Sequence, residues 1–176
     1  NSQNYEQAKL LYLQIVENPK NSEIFEFSLS KDRLKELEKK IIERNIANLK
    51  KQLDNSSAPE LAPLTEFYND FKDSATAADR AYFFQQLLES VKTSENKKLS
   101  EFHENFFNKL NTDEQIEFVY RLCDIALEKQ QNADYLKFIA ELKTLPNSDK
   151  FINQLTSKYN KIKINYYLQI VFIAVL

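Results

Sequence analysis

Residues 64–71 read LTEFYNDF, residues 99–106 read LSEFHENF and residues 135–142 read YLKFIAEL. The first, fourth, fifth and eighth positions carry Leu64, Phe67, Tyr68 and Phe71, then Leu99, Phe102, His103 and Phe106, then Tyr135, Phe138, Ile139 and Leu142. That spacing marks one face of an α-helix. The offset between the sets is 35 and then 36 residues. The segments between them keep the same offset: Ile46, Leu49 and Leu53 align with Ala81, Phe84 and Leu88, then with Ile116, Val119 and Cys123, then with Ile152, Leu155 and Tyr159. Two helix series that repeat together predict helical hairpins of about 35 residues stacked as an α-solenoid, each pair burying its apolar faces on its neighbours. An irregular helical bundle is the alternative.

The fold class expected is therefore all-α, as one domain over residues 1–176, itself expected to be a piece of a longer chain. Residues 1–54 supply N-terminal helices and residues 46–176 the repeated pairs. The period lies near those of tetratricopeptide, pentatricopeptide and pumilio repeats, but the chain has no Trp and no Gly, and the tetratricopeptide pattern needs both. No family is assigned on these residues.

The N-terminal third is less regular. Ala8, Leu11, Tyr12 and Ile15 predict one helix, which NPKN at 18–21 breaks. Residues 23–30, EIFEFSLS, alternate Phe25, Phe27 and Leu29 with Glu26, Ser28 and Ser30, the period of a half-buried strand. Ser30 then reads as the cap of a long helix with Leu34, Leu37, Ile41, Ile42, Ile46, Leu49 and Leu53 on its apolar side and a Glu36–Lys40 pair on its surface. Farther along, Thr112 and Gln115 read as a capping box, and Ser148 as a cap.

Composition removes whole classes of function. Without glycine there is no G-x-G-x-x-G turn, phosphate loop or nucleophile elbow. A net charge of -2 offers no general attraction to a polyanion. One cysteine excludes an internal disulfide and a Cys-rich metal cluster. The absence of Met leads us to expect an internal fragment.

Few residues suggest chemistry. His103, with Glu104 beside it, holds a position equivalent to Tyr68 and Ile139 and is expected to be a packed ring rather than an acid or base. Cys123 aligns with core positions and is expected to be a buried, unreactive thiol. Glu101, Glu104, Asp113, Glu114 and Glu117 lie near helix ends, where carboxylates complement the macrodipole. The lysines at 39–40, 50–51 and 97–98, with Lys158, Lys161 and Lys163 and the rings of Tyr159 and Tyr166, would form a basic, aromatic stripe if they converged, but acidic residues interleave with them. No catalytic residue, cofactor, metal or nucleic-acid partner is expected.

The function expected is a non-enzymatic interaction module or scaffold that docks another protein or a second copy, set in a bacterial effector or secretion system. An aromatic content of 12% supplies the anchors that interfaces favour. The alternative is the soluble part of a membrane-associated protein, because residues 164–176, INYYLQIVFIAVL, carry no charge. Thirteen residues are too few for a spanning helix, which needs about 20, so a span requires the chain to continue past Leu176. These residues are expected to prolong a helix from near Asp149. A strand over KIKINY, residues 161–166, paired with residues 23–30 is the competing reading.

Overall fold

The computed structural model describes the backbone at residues 2–18, 25–56, 61–93 and 99–175, and side chains at 4–18, 29–56, 61–93 and 99–164. The described residues form eight α-helices and no strand: α1 Ser2–Glu17, α2 Phe25–Asn55, α3 Leu61–Glu66, α4 Ala77–Thr93, α5 Leu99–Phe106, α6 Thr112–Glu128, α7 Asn132–Leu142 and α8 Asp149–Val175. The all-α expectation holds. They pack as two compact units, one of residues 1–56 with 62–83 and the other of residues 57–61 with 84–176.

One expectation of strand structure is corrected. Residues 25–30 are the first turns of α2, and Ser30 is a buried residue inside that helix, not its cap. Once a nucleus exists, each further helical residue adds a hydrogen bond at little cost. A run of period two without a partner strand has nothing to oppose that. Residues 161–166 are helical, inside α8, which starts at Asp149 as expected.

In the first unit α1 packs along α2. Lys9 pairs with Glu38 at 3.4 Å and Glu6 approaches Arg44 at 3.9 Å. As numbering rises along one helix it falls along the other, so the two are antiparallel. The facing stripe of α1 is 8–9, 12–13 and 15–16, all half-buried, whereas Leu11, expected inward, is 62% exposed. Along α2 the expected apolar side deepens from half-buried Leu34 and Leu37 to buried Ile46, Leu49 and Leu53. Pro63 sits in the first turn of α3, where a missing N–H costs nothing. After Glu66 the helix widens into a π-turn over Phe67–Phe71 and tightens into a 3-10 turn over Lys72–Ser74.

In the second unit α6 and α7 are the most intimately paired helices. Leu99, Phe102, Phe106, Phe118, Val119, Leu122, Phe138, Leu142 and Leu155 are at most 1% exposed. The cap of α6 stands one residue before the expected Thr112. Asn111 accepts a hydrogen bond from the Glu114 N–H, and the Glu114 carboxylate accepts one from the Asn111 N–H, both at 3.0 Å. Asn caps as well as Ser or Thr and here has the extended backbone a cap needs. Ser148 does precede α8, but through its carbonyl, which accepts from the Ile152 N–H, while its hydroxyl donates to the Leu145 carbonyl.

The lack of glycine leaves a mark after α6. The Gln131 N–H donates to the Ala126 carbonyl and the Gln130 N–H to the Leu127 carbonyl, the bond pair of a Schellman end. That motif puts Gln130 at φ 57°, where a side chain clashes with its own backbone. Gln130→Gly is expected to stabilise the unit by about 1 kcal/mol, read as a raised denaturant midpoint at unchanged slope.

Candidate functional site

His103 stands on α5 with its ring stacked on Phe107, centroids 4.7 Å apart and planes at 21°, and tilted against Phe138 at 5.7 Å. The side chain is 14% exposed. Its Nε2 lies 2.7 Å from Glu141 Oε2 on α7, yet off the direction a hydrogen bond requires, so the contact is one of charge when the imidazole carries its proton. Glu104 is exposed and does not join this pair. The ring thus fills the half-inward position expected of it, with a carboxylate that the sequence did not point to, because Glu141 is 38 residues away.

Cys123 lies in the core of the second unit at 0% exposure. Burial pushes its thiol up to about 12, with Asp124 and Glu141 adding to the effect. At neutral pH it is a protonated thiol and a poor nucleophile. An added disulfide reagent at pH 8 is expected to label Cys123 at least 100-fold more slowly in the folded chain than in denaturant. Comparable rates would show that the core opens readily.

Several of these lysines face carboxylates. Lys40 meets Glu36 at 2.9 Å and Lys39 lies 3.8 Å from Glu43. The Lys40 hydrogen bond, and then that of Arg33, hold the Glu36 carboxyl below its ordinary range. Lys50 reaches Asp79 at 2.6 Å and lies over the Tyr82 ring at 5.1 Å. Asp79 also accepts from the Thr76 hydroxyl and N–H, while Thr76 Oγ1 accepts from the Asp79 N–H, a capping box at the start of α4. Burial alone would raise the Asp79 carboxyl, but these donors outweigh it and hold it low. Tyr82 donates to Asp54 at 2.6 Å, and burial followed by that bond pushes its hydroxyl up to about 12. Lys97 and Lys98 lie outside the described residues.

Lys158, like Lys50, joins two helices, and it meets two carboxylates. From α8 it donates to Asp124 and, at 2.9 Å, to Glu128, both on α6. Burial would lower its ammonium, yet the two carboxylates raise it above its ordinary value. Just before this contact the inward face of α8 is buried at Leu155. Beyond it every residue from Tyr159 to Ile164 is exposed, with Tyr159 at 37%, Ile162 at 38% and Ile164 at 57%. Tyr159 had been aligned with core positions. Instead it caps the edge of the unit, stacked on Tyr135 with centroids 5.4 Å apart.

Two grooves line these helices. One of about 350 Å³ in the first unit runs over Ile42 and Ile46 between Lys35, Lys39 and Asp79. The other, of about 280 Å³ in the second unit, lies between α4 and α6 and holds Glu89, Lys92, Arg121 and Asp124. Neither gathers one sign of charge. Among the described residues no group of three or more His, Cys, Asp or Glu side chains is set to hold a metal ion.

Comparison with protein-family models, with curated proteins and with solved structures gave no match.

Proposed function

We propose that this chain is a non-enzymatic docking module, a scaffold of helical hairpins repeating at about 35 residues, which acts by presenting the C-terminal part of α8 to another molecule. The observation that carries the reading is the course of α8 itself. A helix turns once in 3.6 residues, and over the six exposed residues 159–164 the described chain covers only the face of Tyr159 and Ile162, and that in part. The same helix then continues to Val175 through a sequence whose only polar residues are Asn165 and Gln169. Apolar surface of this extent is removed from water only by association. A bacterial effector or secretion system is the setting we favour, from the Lys- and Asn-rich, Arg-poor composition.

Truncation after Lys163 tests the proposal. The full chain is expected to associate, with a light-scattering mass above that of the monomer or a demand for detergent. The truncated chain should be a helical monomer that keeps the melting behaviour of the buried core. Full and truncated chains that are both monomeric, with the same solubility and melting, would overturn it.

A further inference from the structure

We propose that the molecule docked by α8 is an anionic lipid bilayer, entered by residues 164–175. This rests on the docking reading above and names its partner. Two features of the chain select lipid over a second copy. The first is the distribution of apolar residues. A helix that pairs with a copy of itself needs an apolar stripe of two positions in seven and keeps its other faces polar. Residues 164–176 place Ile, Leu, Val, Phe, Ala and Tyr on every side of the helix, a pattern covered completely only inside a large protein core or in hydrocarbon.

The second feature is the order of residues along the axis. Lys161 and Lys163 are exposed and bracket exposed Ile162. Tyr166 and Tyr167 follow, and then LQIVFIAVL. Cation, aromatic, aliphatic is the sequence of environments met on passing from phosphate headgroups through the interface into the acyl chains. Lysine stems lie along apolar surface while their ammonium groups stay with the phosphates. Among the described residues no helix is long and apolar enough to cross a membrane, and this arrangement does not require one. At the other end, the Lys158 contacts with Asp124 and Glu128 tie the helix to the second unit, so insertion brings that unit to the lipid surface.

Flotation of the full chain with vesicles of phosphatidylcholine, alone or with phosphatidylserine, tests the proposal, alongside light scattering without lipid. The chain is expected to float with the serine-containing vesicles and to do so increasingly as their anionic share rises. Lys161→Gln with Lys163→Gln should weaken partitioning on those vesicles by about 30-fold, with circular dichroism unchanged because both side chains are exposed. Ile170→Asn with Ile173→Asn should abolish flotation on both compositions. Equal flotation on neutral vesicles that ignores the lysine substitutions would overturn the anionic selection. A defined oligomer that never floats would make a second copy the occupant, overturning this proposal while leaving the docking reading intact. A monomer that never floats and is indifferent to the isoleucine substitutions would overturn both.

Discussion

Phe102→Ala is expected to lower the stability of the second unit by about 3–5 kcal/mol, the range for emptying a buried aromatic site. Phe102 is 1% exposed, and Phe106 and Phe138 of the same unit are 0% exposed. A domain is stable by only about 5–15 kcal/mol in total, so this one substitution consumes a large part of the margin. Denaturant unfolding followed by circular dichroism measures it. Glu104→Ala, two positions on and exposed, is the control and should shift stability by no more than about 0.5 kcal/mol. Equal effects of the two would show that Phe102 is not a core residue.

In the first unit the corresponding test is the ring stack of Phe67 and Phe83. Their centroids are 3.7 Å apart with planes at 7°, and Tyr68 and Tyr82 meet them edge-on, both at 84°. Both phenylalanines are fully buried. Phe83→Ala is expected to cost about 3–5 kcal/mol, nearly all of it from lost apolar burial and the cavity. A face-to-face sandwich is electrostatically poorer than an offset or edge-on pair, so a double-mutant cycle with Phe67→Ala should find a coupling of only about 0.5 kcal/mol. A coupling several times larger would mean that the rings hold the π-turn at Phe67–Phe71 in place, and not merely fill space beside it.

How much of this was legible beforehand differs by element. The aligned residues Phe67, Phe102 and Phe138 are all buried, and so are Leu64, Leu99 and Tyr135. Within one helix the burial pattern is set by side chains three and four positions apart, which sequence spacing displays directly. The Glu36–Lys40 pair was legible for the same reason. The Thr76–Asp79 capping box was equally local and could have been found from TAAD at 76–79. The alternation at Phe25, Phe27 and Leu29 misled because period two becomes a strand only when another strand accepts its hydrogen bonds. That condition is not written in eight residues.

By itself, then, the sequence determined that this chain is helical and, with exceptions such as Leu11 and Tyr159, which residues face its cores. Its lack of glycine also required other residues, Gln130 and Asn147, to take the two positive-φ positions described. Only the tertiary structure decided which partners meet across helices: Glu141 beside His103, Asp124 and Glu128 on Lys158, Asp54 on Tyr82. Those contacts join residues 28 to 38 positions apart, and they depend on the register of one helix against the next. Many registers bury similar apolar area, so periodicity does not distinguish them. Packing of particular side chains does, and along α8 that packing thins from buried Leu155 to half-covered Tyr159 and Ile162.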